Sequence, residues 1–136
     1  MAGIFLRFEK GEVVEFDAKE GKEFLAKIFT IPGMKALGEF SLTDARHSHI
    51  TKYMGEILYD ENVGGEYGNT HIAIGRSFEE TSREDISQQT EEERLKNWFN
   101  QSAEHLDIIS TTDRKVTAIL EDGNEKVIYE WGKFLI

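Results

Sequence analysis

Cysteine is absent from this chain of 136 residues, and proline occurs once, as Pro32. The absence of cysteine excludes disulfide bonds and thiolate metal ligands, and it is compatible with a reducing compartment. Long apolar runs are also missing, and Met1-Ala2-Gly3 leads directly into the strand-like run Ile4–Phe8 without a basic leader segment. We therefore expect no signal peptide, no membrane span and a cytoplasmic location.

Basic residues are scarce. The chain has 16 lysines and arginines against 26 aspartates and glutamates, which gives a formal charge of −10. Nucleic-acid and anionic membrane surfaces attract a basic face, so this balance excludes both as expected partners. A content of 39% hydrophobic residues is sufficient for one domain with its own core, and we expect residues 1–136 to form a single domain.

The order of predicted elements favours an α+β fold, because hairpin signals dominate and no βαβ alternation appears. We expect a largely antiparallel sheet, two or three helices and a C-terminal β-meander. The predicted elements are a hairpin of Ile4–Phe8 and Val13–Phe16, helices over Ala18–Phe29, Ile50–Leu58 and from Thr90 onward, and meander strands Leu106–Ile109, Val116–Leu120, Lys126–Trp131 and Lys133–Ile136.

Histidines and carboxylates recur at positions that suit metal binding. His105 and Asp107 lie two residues apart at the start of a predicted strand, so their side chains share a face. His71 precedes a short apolar run, and Glu39 interrupts an apolar strand pattern. Two imidazoles and two carboxylates are the ligand set of a hydrolytic zinc, cobalt or manganese site.

Each of these residues also has an ordinary structural interpretation. A lone histidine such as His71 commonly satisfies its donor and acceptor locally. Glu39 could lie at an exposed edge, although a buried carboxylate is costly without a partner. His105 and Asp107 could form a solvated same-face pair. His47 and His49 are also two residues apart, and we interpret them as residues of a loop or of the rim of the active site.

Several motifs, in order, resemble one known family. They are Leu37-Gly38-Glu39-Phe40, Leu58-Tyr59-Asp60-Glu61-Asn62, Asn69-Thr70-His71-Ile72-Ala73-Ile74-Gly75, Phe99-Asn100-Gln101-Ser102 and His105-Leu106-Asp107. In this order and spacing they resemble the C-terminal catalytic part of the thermophilic metallo-aminopeptidase family, of the aminopeptidase T type. The resemblance extends over nearly the whole chain.

The resemblance implies an exopeptidase that removes N-terminal residues from peptides with two divalent metal ions, zinc, cobalt or manganese. It assigns Glu39, His71, His105 and Asp107 as the metal ligands. It also implies a large N-terminal domain of the same polypeptide, which would supply a further glutamate ligand and lies outside this sequence. We therefore expect the isolated chain to have little activity, and the protein to form a homodimer.

The chain departs from the family pattern at Phe78, where the family usually has tyrosine seven residues after the motif histidine. Phenylalanine has no hydroxyl with which to bind a metal or stabilise an oxyanion. No catalytic residue is therefore assigned. Three functions stay open: a metallo-aminopeptidase or its catalytic fragment, a non-catalytic oligomerisation and packing domain of the same family, and an acidic interaction module.

Overall fold

Strands and short helices make up the computed structural model, which describes residues 1–82, 85–97 and 99–136. The strands are β1 (Ala2–Glu9), β2 (Glu12–Glu20), β3 (Leu37–Thr43), β4 (Asn69–Gly75), β5 (His105–Ser110), β6 (Lys115–Ile119), β7 (Glu125–Glu130) and β8 (Lys133–Phe134). The α-helices are α1 (Lys22–Ile28), α2 (Ile57–Asp60) and α3 (Glu91–Lys96), with 3₁₀ turns at Glu79–Thr81 and Ile86–Gln88. The predicted α+β fold class is confirmed.

Three sheets contain these strands, in the orders β1-β2, β3-β4-β5 and β6-β7-β8. The chain divides into two compact units, each built from two segments. The first unit comprises Met1–Phe40 and Ile72–Leu106, and the second comprises Ser41–His71 and Asp107–Ile136. Within the described ranges, no helix is long and apolar enough to cross a membrane.

The first unit opens with the predicted antiparallel hairpin, whose strands pair from Ala2↔Glu20 to Glu9↔Glu12. Lys10 and Gly11 form its turn with positive φ angles of 50° and 78°. Two successive positive φ angles match the right-handed twist of the flanking strands, which explains the glycine in this turn. Alternate residues of β1 pack against the core of the unit, as the period of a strand requires; they are Ile4, Leu6 and Phe8.

The core of the first unit consists of buried residues from several elements, namely Val13, Leu25, Phe29, Met34 and Ile74. The prediction that α1 begins at Ala18 is wrong. Strand β2 continues to Glu20, where it pairs with Ala2, and the helix begins only at Lys22. Gly21 separates the two elements with a φ of 84°, a conformation that glycine adopts without strain.

The second unit contains the C-terminal meander, in which β7 pairs antiparallel with both β6 and β8. The turn between β6 and β7 is closed by Asp122, whose carboxylate accepts hydrogen bonds from the main chain and side chain of Asn124 at 2.9 and 2.8 Å. The meander itself is confirmed, but the prediction that residues 106–109 belong to it is wrong. That segment lies in β5, which is part of the sheet with β3 and β4.

Tyr129 of β7 is fully buried in the second unit. Its hydroxyl donates toward the carbonyl oxygens of Thr43 and Tyr67, at 2.8 and 3.2 Å. Gly68 has a φ of 64°, and a Cβ added there would collide with the Tyr129 hydroxyl. The glycine is therefore required by the tyrosine that packs against the loop.

The predicted helix over residues 50–58 is wrong, because α2 covers only Ile57–Asp60. The Asp60 carboxylate accepts hydrogen bonds from the amides of Met54 and Gly55, at 2.7 and 2.9 Å. These bonds keep residues 54 and 55 outside the helix, since a side-chain acceptor offers the main chain an alternative to helical bonding.

Helix α3 begins where the sequence predicts. The Thr90 hydroxyl accepts a hydrogen bond from the Glu93 amide at 3.3 Å, and the Glu93 carboxylate accepts one from the Thr90 amide at 2.8 Å. This reciprocal pair is a capping box, which satisfies two amides that the first helical turn leaves unbonded.

Candidate metal site

Glu39 lies on β3 directly after Gly38. The glycine allows β3 to approach the main chain at the C-terminal end of β4. A Cβ added to Gly38 would lie 2.5 Å from the Gly75 carbonyl oxygen and 2.6 Å from that of Arg76. Real Cβ atoms do not approach main-chain oxygens this closely, so only glycine fits. Steric crowding thus explains why a glycine precedes Glu39. The Glu39 side chain itself is 26% exposed.

His105 begins β5, and its ring is held by contacts on two sides. Its Nδ1 atom lies 2.7 Å from the Arg76 carbonyl oxygen, and its Nε2 atom lies 3.6 Å from Oε2 of Glu39. A carbonyl oxygen can only accept, so Nδ1 carries the proton and Nε2 is the basic nitrogen of the neutral ring. Nε2 therefore points toward the carboxylate, which is the orientation that a metal-binding histidine needs.

The polar run from Asn100 to Ser102 fixes the approach to β5. The Asn100 amide group donates to the carbonyl oxygens of Gly33 and Gly75, at 2.8 and 2.6 Å. Ser102 donates to the carbonyl of Pro32 at 2.9 Å. Asn100 and Ser102 are buried, so each bond replaces one that water would otherwise make. The sequence pattern indicates no role for these residues beyond their place in the motif.

His71 lies in the middle of β4 and is only 4% exposed. Its Nδ1 atom is 2.9 Å from the carbonyl oxygen of Glu61, so this ring is also protonated at Nδ1 and basic at Nε2. The neighbouring Asn69 donates to the carbonyl of Asp60 at 3.1 Å. Main-chain oxygens at the C-terminal end of α2 therefore bind Asn69 and His71 of β4, which the sequence pattern does not reveal.

Glu39, His71 and Asp107 each offer one ligand atom, and these three atoms all lie within 4.8 Å of one another. The residues come from β3, β4 and β5, which are neighbours in one sheet. His71 is buried and the two carboxylates are half-buried, so a cation would offset the cost of removing negative charge from water. Oxygen and imidazole ligands suit zinc, cobalt and manganese.

The other sequence-identified residues take different positions. His105 is not part of that group of three and adjoins it through its contact with Glu39. His47 and His49 are both exposed, and the group of possible ligands found among the described residues contains neither of them. Phe78 packs its ring against His105, with ring centroids 4.6 Å apart.

Comparisons with known proteins give a consistent picture. A family described as thermophilic metalloprotease (M29) matches residues 1–134. Aminopeptidase T from Thermus thermophilus is 31% identical over 139 residues, and aminopeptidase PepS from Streptococcus thermophilus is 32% identical over 140. Each match covers 98% of this chain and 32% of the relative, so the chain spans about a third of their length.

The solved structure of wild-type AmpT from Thermus thermophilus has the same fold over this region. It superimposes with a TM-score of 0.78 at 29% sequence identity, and the match covers 98% of this chain and 32% of that one.

Proposed function

Because the chain belongs to the thermophilic metalloprotease family M29, we propose that it is the metal-binding part of an aminopeptidase that hydrolyses peptides at the N-terminus. The relatives that support this proposal are named as aminopeptidases. The chain spans 32% of their length, so the activity is proposed for the whole protein. The isolated chain is expected to have little activity, because a further glutamate ligand is expected from outside this sequence.

The proposed metal ligands are Glu39, His71, His105 and Asp107. The observation that carries the proposal is the convergence of atoms from Glu39, His71 and Asp107 within 4.8 Å. The basic Nε2 atom of His105 adds a fourth donor next to Glu39. Two imidazoles and two carboxylates fit divalent zinc, cobalt or manganese in both charge and ligand type.

Two divalent ions in such a site would polarise the scissile carbonyl and acidify the attacking water. The residues of this chain prepare the site for that chemistry. The carbonyls of Glu61 and Arg76 fix both histidines as Nδ1–H tautomers, so each ring directs a lone pair from Nε2. Glu39 and Asp107 supply the negative charge that favours cations over neutral ligands. Phe78 supplies no proton, so proton transfer must involve another group of the whole protein.

Isothermal titration of the chain with zinc, cobalt or manganese tests the ligand set. We expect His105→Ala and Asp107→Ala each to weaken binding by about 100-fold or more while the circular dichroism spectrum stays unchanged, because each removes a donor without opening the core. His47→Ala, which removes an exposed histidine, is the matched control and should bind as the parent does. Unchanged affinity in both ligand variants would refute the assignment.

A non-catalytic packing domain of the same family is the alternative, and Phe78 in the usual tyrosine position is the observation that favours it. Hydrolysis of a chromogenic leucine amide with added cobalt or zinc distinguishes the aminopeptidase from the packing domain. We expect a longer polypeptide that includes the N-terminal part to hydrolyse the amide, and this chain to have almost no hydrolytic activity. A longer polypeptide that binds metal without turnover would support the packing domain.

The homodimer and the cytoplasmic location stay predictions. Light scattering coupled to gel filtration measures the mass in solution, and a monomeric mass for the longer polypeptide would contradict the dimer. Cell fractionation measures the location, and recovery of the protein outside the cytoplasmic fraction would contradict that prediction.

A further inference from the structure

Phe78 stands beside a proposed ligand although it lacks the hydroxyl expected at its position. Its ring and the His105 imidazole have centroids 4.6 Å apart and planes inclined by 50°. The same imidazole contacts the Arg76 carbonyl through Nδ1 and the Glu39 carboxylate through Nε2. The hydrogen bond and the Glu39 contact involve the two ring nitrogens, whereas the Phe78 ring packs against the imidazole in a tilted arrangement.

The main chain at Phe78 is itself held in place. The preceding residue, Ser77, is buried; its amide donates to the Asn100 carbonyl at 2.9 Å, and its hydroxyl accepts from the Asn100 amide at 3.2 Å. Asn100 in turn bonds the carbonyls of Gly33 and Gly75. The aromatic ring of Phe78 is thus attached to a fixed point of the first unit, even though the ring is 42% exposed.

We propose that Phe78 is a positioning residue, which holds the His105 imidazole with Nε2 directed to the metal-binding side. A hydrogen bond at Nδ1 leaves the ring able to rotate about its bond to Cβ, and packing of the Phe78 ring against the imidazole restricts that rotation. The ring, and not a hydroxyl, then carries the function of this position. The proposal rests on the proposed metal site and extends it to a residue that binds no metal.

Metal affinity tests the proposal with three variants of the chain. We expect Phe78→Ala to weaken zinc binding about twofold to tenfold, the range that one aromatic contact supports, and Phe78→Tyr to bind as the parent does. Phe24→Ala removes another exposed phenylalanine of the first unit, 51% exposed against 42% for Phe78, and is the control, expected to leave affinity unchanged. Parent-like affinity in Phe78→Ala, or an equal loss in Phe24→Ala, would overturn the proposal.

A double-mutant cycle shows whether Phe78 acts through His105. In the His105→Ala background, Phe78→Ala should cause no further loss of zinc affinity, because the ring it positions is gone. An additional loss of the same size as in the parent would mean that Phe78 acts elsewhere and would contradict the proposal.

Nitrogen chemical shifts of the histidine rings test positioning without metal. In the metal-free parent, long-range proton–nitrogen spectra should show His105 as the Nδ1–H tautomer; in Phe78→Ala they should show a mixture of tautomers. Retention of a single tautomer in Phe78→Ala would contradict the proposal. If the parent binds no metal, the proposed metal site fails, whereas this measurement still decides the role of Phe78.

Discussion

The Nδ1 atom of His71 lies 2.9 Å from the main-chain carbonyl oxygen of Glu61, ten residues earlier in the chain. This single contact fixes the ring's tautomer, because a carbonyl cannot donate a proton. His105 has the same arrangement with the Arg76 carbonyl. Both proposed metal-binding histidines are therefore oriented by main-chain oxygens, whose positions depend on the fold and not on which side chain occupies residue 61 or 76.

Zinc or manganese should stabilise the folded chain, and His71→Ala should remove this effect. A ligand at about 100 times its dissociation constant raises the free energy of unfolding by about 2.7 kcal/mol when it binds only the folded state. Urea unfolding with and without metal measures the shift. The exposed His49→Ala variant is the control and should keep the parent's shift; an equal shift in His71→Ala would count against His71 as a ligand.

Gly38→Ala should lower the free energy of unfolding by at least about 2 kcal/mol, because the new methyl group would collide with two carbonyl oxygens of the main chain. Gly55→Ala is the matched control. Gly55 has a φ of 79° but open space around it, so we expect only a strain cost of about 1 kcal/mol. Urea titrations measure both values, and a smaller loss at Gly38 than at Gly55 would show that the close approach is relaxed in solution.

Asp44 should make stability depend on pH in the acid range. Hydrogen bonds from the Arg46 guanidinium hold the pKa of the Asp44 carboxyl well below its ordinary value of 3.8, and the Phe134 amide donates to the same carboxylate. A pKa depressed in the folded state means that the unfolded chain binds the proton first. The stabilisation is thus fully present above about pH 4 and is lost as the pH falls below that value.

The Asp44→Asn variant measures this contribution. Its urea midpoint should lie below that of the parent at pH 7, and the difference should shrink at pH 3. Asp113→Asn, an exposed aspartate of the same unit, should follow the parent at both pH values. A difference between Asp44→Asn and the parent that is independent of pH would contradict the linkage.

Tyr129→Phe should cost about 1 to 2 kcal/mol of stability, because it removes the hydroxyl of a buried side chain that donates to the partly buried carbonyls of Thr43 and Tyr67. Tyr53→Phe removes an exposed hydroxyl and should change stability by less than about 0.5 kcal/mol. Thermal unfolding of both variants provides the comparison, and equal melting temperatures would show that the Tyr129 hydroxyl contributes nothing.

Elements with a local signal were predictable. The opening hairpin follows from alternating apolar residues around a Lys-Gly turn, and the start of α3 follows from the capping residue Thr90 before an acidic first turn. The end of β2 and the length of α2 were not predictable from the sequence. Pairing with Ala2 keeps β2 extended to Glu20, and the Asp60 carboxylate keeps residues 54 and 55 out of a helix. The first is a long-range pairing that overrides local propensity, whereas the second is a side-chain bond across five or six residues that competes with helical bonding.

The sequence by itself determined which side chains could bind a metal and that His105 and Asp107 share a strand face, because residue chemistry and the period of two are local properties. Only the tertiary structure decided what surrounds those side chains. Arg76 is 29 residues from the His105 ring that it orients, and the oxygen that makes Gly38 necessary belongs to Gly75. Such contacts join residues distant in the chain, and main-chain oxygens carry no residue identity, so no sequence pattern marks them.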